Sequence, residues 1–344
     1  MKVLFATNPK ISNPFTRTLV EGLHTLSPKD VFTISLDAFW ENDVYEYDVI
    51  HIMFPHELLS LTPKRTFEDV EKRINEILKN GIKIVSTCHN YAPHLSDTEG
   101  KNVYDLVYSR SGMIFHFGDV SKNKFIERFP YVENVLLPHH VYDTLYKSIP
   151  DEKESRMKYD IKENAKILLC FGVIRNESER AMLINLSYEL KKHHIKLWVP
   201  SFYRVYRRKR IFDDIKYLYY KLKYKHIKMQ MGYISDEDLP YIFAASDVVL
   251  IPRLKILNSG NVPLAMYFGK VIVGPDVGNV GSLLSLTNNY CFDVNDERTI
   301  YSQILDAFNS HKSEKGEENR KYAMQNLSTL NIASNLLNYY YGYI

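Results

Sequence analysis

The stretch Gly232–Pro275, GYISDEDLPYIFAASDVVLIPRLKILNSGNVPLAMYFGKVIVGP, contains the signals that decide the fold. It predicts a helix, a buried strand over Asp247–Pro252, a polar glycine-containing loop, a helix over Val262–Phe268 and a second buried strand. A helix that begins directly after a small-residue loop presents unpaired N–H groups and the positive end of its dipole. The loop Asn258–Asn261 therefore predicts an anion site.

Two cations precede this loop. Arg253 and Lys255 lie between the predicted strand and Asn258, so the chemistry favoured here is the binding of a diphosphate. The alternative is a solvated connection with no ligand. Ligands of open α/β sheets bind at the carboxyl ends of strands, which favours the binding interpretation.

The rest of the chain repeats the same alternation of short apolar strands and helices. Such alternation predicts parallel sheets with helices on both faces. A polar stretch over Lys147–Lys166 predicts an interdomain linker, so we expect domains over residues 1–147 and 148–324. One long helix is predicted over Glu317–Tyr340. The strands predicted outside the opening stretch are Lys2–Ala6, Val31–Leu36, Val49–Met53, Lys83–Thr87, Gly112–Phe117, Ile167–Phe171, Lys196–Pro200 and Lys228–Gly232.

Composition limits the class of protein. The chain has 344 residues, which suits two domains, and its three cysteines lie far apart, which predicts neither a disulfide framework nor a metal site. No apolar run is long enough to span a bilayer, and Met1–Ala6 is typical of a first strand rather than a signal peptide. We expect a cytoplasmic protein, with attachment to the inner face of the membrane as an open extension.

The opening stretch resembles the donor half of GT-B glycosyltransferases, close to glycosyltransferase family 4. The matching segments are Ala244–Pro252, which follows the family pattern aaDvvllP, the Asn258-Ser259-Gly260 loop, and Leu264–Val273, which follows aLafGkpVia. The resemblance implies an α/β GT-B fold, in which two Rossmann-like doubly wound parallel-sheet domains face a cleft. It also implies that the final segment, about 325–344, crosses back onto the first domain.

The resemblance also implies an activity. It predicts metal-independent transfer of a hexose from a UDP- or GDP-sugar to a saccharide or lipid-linked saccharide acceptor, in surface polysaccharide synthesis. No cofactor is expected beyond the nucleotide-sugar substrate. Two other functions stay open, namely a nucleotide-sugar epimerase of the same fold and a binder that kept the fold but lost the chemistry.

Family motifs place the donor site in the second domain. Arg175 ends Cys170–Arg175, which matches the family turn fGxiR, and its guanidinium would neutralise the departing diphosphate. The chain departs from the family at Ser178, where a lysine is usual, and at Ile256 and Leu264, where many members carry glutamates. The predicted donor-binding residues are Arg175, Arg253, Lys255, Asn258, Ser259, Gly260, Asn261 and Val262.

In the first domain, the resemblance points to residues that follow strands. His89 is the predicted catalytic residue, as a donor to a sugar hydroxyl or as a base, and Asn13, Asn90 and His116 are predicted on the sugar or acceptor side. A satisfied, half-buried histidine is the alternative for either histidine. An inverting reaction would need a carboxylate base, for which the candidates are Asp97, Glu99 and Asp119.

The segment Tyr203–Lys228 interleaves tyrosines with basic residues. Thirteen lysines and arginines but only two acids lie between Lys191 and Lys228. Contact with an anionic membrane surface and an ordinary solvated helix are both open interpretations. No nucleic-acid-binding motif accompanies the charge, so nucleic acid is not expected as a partner.

Overall fold

The computed structural model describes residues 1–10, 14–60, 64–93, 98–203, 210–232 and 234–344. The chain divides into two compact units. Unit 1 comprises Met1–Leu145 and Asn326–Ile344, and unit 2 comprises Tyr146–Gln325. Each unit contains a six-stranded sheet whose neighbouring strands are all parallel.

The sheet of unit 1 has the strand order β2-β1-β3-β4-β5-β6. Its central strands are buried on both faces, as expected when helices cover a parallel sheet on each side. The strands are β1 (Lys2–Ala6), β2 (Val31–Ile34), β3 (Val49–Ile52), β4 (Lys83–Cys88), β5 (Met113–His116) and β6 (Glu133–Leu136).

Helices connect these strands, and local chemistry explains where they begin. The third helix begins after Thr66, whose hydroxyl accepts from the Asp69 N–H while the Asp69 carboxylate accepts from the Thr66 N–H, a capping box. Short 3-10 segments cover Asn42–Glu46 and Pro55–Leu59. The helices are α1 (Phe15–Leu26), α2 (Asp37–Trp40), α3 (Phe67–Lys79), α4 (Thr98–Arg110) and α5 (Asp119–Arg128).

The sheet of unit 2 has the order β12-β11-β10-β7-β8-β9. Its strands are β7 (Lys166–Leu169), β8 (Ile195–Tyr203), β9 (Ile227–Met231), β10 (Val248–Leu250), β11 (Val271–Pro275) and β12 (Tyr290–Phe292). Its helices are α6 (Glu152–Lys158), α7 (Glu177–Lys192), α8 (Arg210–Lys223), α9 (Leu239–Ala244), α10 (Asn261–Tyr267), α11 (Gly278–Leu286), α12 (Glu297–Asn309) and α13 (Lys312–Asn326).

The polar stretch over Lys147–Lys166 is more ordered than its composition predicts. It contains α6, whose N-terminal N–H groups are capped by the Asp151 carboxylate. The buried Arg156 of this helix donates to the carbonyls of Lys162, Glu163 and Ala165. The stretch is therefore an ordered helix and turn that belong to unit 2.

The predicted single helix over Glu317–Tyr340 is wrong, because the chain breaks after α13 and continues as α14 (Thr329–Tyr343). Ser328 caps the new helix by accepting from the Asn331 N–H, and the carbonyl of Leu327 accepts from Val141 instead of continuing a helix. The α14 helix belongs to unit 1, where the Tyr340 hydroxyl lies 2.6 Å from His51 Nδ1.

Both sheets have one point at which the strand order reverses. In unit 1 the chain runs outward in opposite directions from β1 and β3, and in unit 2 from β7 and β10. A crevice forms outside the carboxyl ends of the strands at such a switch point, and ligands of open α/β sheets bind there. These two edges are therefore where a functional site is to be sought.

Candidate functional site

At the switch point of unit 2, side chains join the loop after β7 to the loop after β10. Asn261 Nδ2 donates to the carbonyl of Phe171 at 2.9 Å, and Arg253 Nη2 donates to the carbonyl of Val173. The sequence-predicted donor residues Arg253 and Asn261 thus lie beside the turn that carries Arg175. We call Arg175, Glu179, Arg253 and Asn261 the arginine site.

The charges of the arginine site are partly balanced. Arg253 and Glu179 are both buried and form an ion pair, and Glu179 Oε2 also accepts from the Arg175 N–H at 2.8 Å. The Arg175 side chain reaches the surface, and its pKa is lowered by partial burial and then by the positive charge of Arg253. Two guanidinium groups and one carboxylate leave a net positive charge, which suits an anion.

A glycine allows these two loops to meet. Gly172 has φ +101°, a conformation that side chains rarely adopt, and a Cβ built there would lie 3.0 Å from Asn261 Nδ2. The glycine of the Cys170–Arg175 turn is thus required both by the backbone conformation and by the approach of Asn261.

Hydrogen bonds within unit 2 hold the Asn258–Val262 segment in place. Asn258 Oδ1 accepts from Asn279 Nδ2 at 2.7 Å, and the Asn279 N–H donates to the carbonyl of Leu257. The buried Val262 donates its N–H to the carbonyl of Ser259 at 3.2 Å, so this N–H is already used within the turn. Asn279 at the start of α11 was missed by the sequence reasoning, since its role depends on a contact 21 residues away.

The other predicted donor residues lie on the same edge. Ser259 and Gly260 are half-buried immediately before α10, with Gly260 at the N-cap position, and Lys255 is exposed in the same loop. Because Arg253 is paired with Glu179, a second unbalanced charge in this loop would have to come from Lys255.

At the carboxyl edge of unit 1, aromatic and histidine rings surround His89. Its ring centroid lies 4.4 Å from that of Phe54, 5.0 Å from that of Phe15 and 4.9 Å from that of Phe117. Phe54, His89 and Phe117 each follow the end of a neighbouring strand, namely β3, β4 and β5. We call Phe15, Phe54, His89, Phe117 and His139 the ring cluster.

The sequence reasoning missed His139 and His140, which follow β6, a strand that it did not predict. The His139 ring lies 4.6 Å from that of Phe15 and 5.1 Å from that of Phe117. His140 is fully buried, with Nε2 3.1 Å from the carbonyl of Phe15. Burial lowers the pKa of His139 to about 3 and that of His140 to about 4, and burial also holds the pKa of His89 well below its usual value.

Glu57 is a second residue that the sequence did not single out. It follows β3 and accepts at Oε2 from the Thr7 hydroxyl at 2.6 Å and from the Asn8 N–H at 2.9 Å, both of which follow β1. It therefore bridges the two strands of the unit 1 switch point. Burial raises the pKa of Glu57, against the opposing effect of the two hydrogen bonds.

Other predicted residues of unit 1 have structural partners. His116 is fully buried, with Nδ1 3.2 Å from Ser121 Oγ and Nε2 2.8 Å from Asn134 Oδ1. This geometry favours the alternative of a satisfied, buried histidine. Asn90 is half-buried, and its carbonyl accepts from the Tyr108 hydroxyl at 2.8 Å.

The two candidate carboxylate bases that the structure describes, Glu99 and Asp119, lie on helices. Glu99 accepts from Lys64 and from the Phe67 N–H, at the start of α3, and Asp119 is the first residue of α5. Asn13 and Asp97 lie outside the described residues. Among the residues that the structure describes, no group of three or more His, Cys, Asp or Glu side chains is placed to hold a metal ion.

No family model and no curated protein sequence matches the chain. Solved structures do. HepE from Anabaena, in complex with UDP, has a TM-score of 0.76 at 14% identity, covering 99% of this chain and 100% of its own. Sucrose-phosphate synthase from Thermosynechococcus elongatus has a TM-score of 0.70 at 12% identity, covering 99% of this chain and 98% of its own.

A third similar structure belongs to a protein from Listeria monocytogenes that is named as a UDP-N-acetylglucosamine 2-epimerase. Its TM-score is 0.62 at 11% identity, covering 98% of this chain and 94% of its own. The predicted fold class is confirmed, because the chain has the α/β GT-B fold with two Rossmann-like domains of parallel strands.

Proposed function

We propose that this protein is a glycosyltransferase that moves a hexose from a UDP- or GDP-sugar to a saccharide or lipid-linked saccharide acceptor. The observation that carries the proposal is the arginine site, where two guanidinium groups and a glycine turn meet at the switch point of a nucleotide-binding type of sheet. HepE, which shares the fold, was solved with UDP, with UDP and glucose, and with UDP-glucose.

The proposed chemistry is electrostatic stabilisation of the departing diphosphate. Arg175 contributes the exposed guanidinium, while Arg253 and Asn261 hold the two loops in position. The remaining proposed donor-binding residues are Lys255, Asn258, Ser259 and Gly260. Val262 is not kept among them, because it is buried and its N–H donates to Ser259. Since arginines supply the positive charge, the proposal requires no metal, and activity should survive addition of a chelator.

His89 is the proposed catalytic residue, with the role of orienting the sugar. Burial and neighbouring histidines keep its imidazole neutral, so it can both donate and accept a hydrogen bond at neutral pH. The rings of Phe54 and Phe117 offer apolar surface on which the C–H face of a sugar can pack. Asn90 and Asn13, the latter outside the described residues, complete the proposed sugar and acceptor side. His116 is not kept there, because it is buried and both of its ring nitrogens already have partners.

The test is calorimetric titration with UDP and with GDP. We expect Arg175→Ala to weaken binding of the preferred nucleotide about tenfold to a hundredfold, the effect of losing a charge-assisted hydrogen bond. The matched control is Arg298→Ala, because Arg298 is an exposed arginine of the same unit in an ion pair with Asp296. Millimolar UDP and GDP that both fail to bind the unaltered protein would refute the proposal.

An epimerase is the second candidate, since a protein named as one shares the fold. The two functions separate in an assay without acceptor. An epimerase converts one nucleotide sugar into another, whereas a transferase releases the nucleotide and requires an acceptor for rapid turnover. A protein that binds UDP tightly but supports neither reaction would be a non-catalytic binder.

The same proposal brings the acceptor to the inner face of the membrane, with the basic segment 203–228 as the contact. Residues 204–209 of that segment lie outside the described residues. Among the described residues, no helix is long and apolar enough to cross a bilayer.

A further inference from the structure

The outward face of α8 is apolar, although it lies on the surface of unit 2. Four side chains are more than half exposed, which is unusual for residues that share one helix face. They are Ile215 at 61%, Leu218 at 54%, Tyr219 at 54% and Leu222 at 60%. Their spacing of i, i+3, i+4 and i+7 aligns them on one side of the helix, and we call these four residues the α8 stripe.

The opposite face of α8 anchors the helix to unit 2. Tyr217 and Tyr220 pack against the buried core of the unit, as does Tyr224 just beyond the helix. The Tyr217 hydroxyl also donates to the carbonyl of Met229 at 3.1 Å. The helix therefore already has a core-facing side, and the α8 stripe is a second apolar face that the core of unit 2 does not use.

Lysines border the α8 stripe on both sides. With 100° per residue, Lys216 and Lys223 lie beside it on one flank and Lys221 lies on the other. Lys223 Nζ donates to the Tyr219 hydroxyl at 2.9 Å, so one lysine sits directly at the margin of the stripe. Asp214 shares the flank of Lys221, so one flank is basic and the other is mixed. An apolar stripe bordered by lysines on both sides is the pattern of a helix that lies in the interface of a membrane.

We propose that α8 attaches the protein to an anionic membrane surface, with the α8 stripe inserted among the lipid chains and the lysines against the headgroups. This inference rests on the proposed function for its purpose, which is to bring a lipid-linked acceptor to the enzyme. The charge selects this occupant over a second copy of the chain. In a symmetric pair the same patch would meet itself, and its lysines would then face lysines.

The experiment is flotation of the full-length protein with vesicles, without any donor sugar. We expect binding to vesicles of phosphatidylcholine mixed with phosphatidylglycerol and little binding to phosphatidylcholine alone, with the affinity falling as salt is added. Equal binding to both kinds of vesicle, or binding to neither, would overturn the proposal.

Variants locate the contact. Leu218→Ser combined with Leu222→Ser should reduce vesicle binding at least about tenfold, because two apolar side chains no longer insert. The matched control is Leu286→Ser, since Leu286 is 68% exposed on α11 of the same unit. The Leu286→Ser protein should bind vesicles normally. A control that loses as much binding as the double variant would contradict the assignment to α8.

Charge is tested separately. Lys216→Gln with Lys221→Gln should weaken binding about twenty-fivefold in low salt, since each lysine near an anionic surface contributes about fivefold. Lys153→Gln with Lys162→Gln, two exposed lysines elsewhere in unit 2, should have little effect. Sedimentation without vesicles decides the remaining alternative, because a dimer that the leucine double variant converts to a monomer would make the stripe a self-association face.

These results do not depend on the glycosyltransferase proposal. Protein that floats with anionic vesicles but binds neither UDP nor GDP would sustain the membrane contact and refute the activity. Protein that binds UDP but never floats would refute the membrane contact alone.

Discussion

Unit 1 and unit 2 both concentrate polar chemistry where their strand order reverses, but they place different groups there. The unit 2 edge holds two arginines with a buried glutamate, whereas the unit 1 edge holds rings, neutral histidines and Glu57. The net positive charge of the first suits an anion, whereas the second offers rings and neutral hydrogen-bonding groups. The difference shows that one topology supplies the position of a site, while the loops after the strands supply its chemistry.

The largest expected difference between the two units is their loss of stability in acid. Burial lowers the pKa of His51 and His139 to about 3 and that of His116 and His140 to about 4, all in unit 1. Each contributes stability that is complete above the unfolded pKa of about 6.5 and is lost as the pH falls toward the folded pKa. By pH 5 each of these histidines lowers the free energy of unfolding by up to about 2 kcal/mol.

Hydrogen exchange at pH 7 and pH 5, resolved by peptide and corrected for the intrinsic exchange rate, measures this difference. Unit 1 should lose protection from exchange well before unit 2. In unit 2 burial lowers the pKa of His226, so acid should destabilise that unit through this histidine. Glu57 opposes the trend. Because its pKa is raised in the folded protein, its contribution to the free energy of unfolding increases as the pH falls. Equal loss of protection in both units would refute the distinction.

Breaking the buried ion pair of the arginine site should have the next largest effect. Glu179→Gln leaves Arg253 buried without its counter-charge, which should reduce the free energy of unfolding by about 3–5 kcal/mol. The double variant Glu179→Leu with Arg253→Met should be less destabilised than Glu179→Gln, since no charge is left buried. Urea denaturation compares the variants, and an unaltered midpoint for Glu179→Gln would contradict the role of the pair.

Gly172→Ala should cost about 1–3 kcal/mol and weaken nucleotide binding, because φ +101° is strained for alanine and the new Cβ meets Asn261. Gly81→Ala is the matched control, since Gly81 has φ +79° but nothing within 4 Å of an added Cβ. The control should show only the backbone cost and normal UDP binding. Identical losses at both positions would mean that the approach of Asn261 contributes nothing.

The smallest effect on stability is expected at Glu57. Glu57→Gln keeps an oxygen that can accept from Thr7 and from the Asn8 N–H, and it removes the cost of burying a charge. The free energy of unfolding should change by less than about 1 kcal/mol. Normal stability with reduced sugar transfer would assign the carboxylate to the chemistry of unit 1, whereas normal transfer would leave it a structural bridge.

Much of this architecture could be predicted from local signals. Period-2 and apolar runs such as Asp247–Pro252 located the strands, and the match of Cys170–Arg175 and Asn258–Gly260 to family motifs located the loops of the arginine site. The last strand of unit 1 was harder to predict. β6 has a weak apolar pattern, so Pro138-His139-His140 had no predicted strand to follow and was missed.

Sequence alone determined the alternation of strands and helices, the GT-B class and the loops that face the carboxyl edge of unit 2. The alternation follows from periodicity, whereas the GT-B class and the position of the loops follow from the resemblance of short motifs to a known family. Both signals are properties of short segments. Only the tertiary structure decided that Arg253 pairs with Glu179, that His139 packs on Phe15, and that Glu57 bridges β1 and β3. Those pairings join residues 49 or more positions apart. Burial of the whole core offsets the entropy lost when distant segments come together, and no local sequence pattern records that burial.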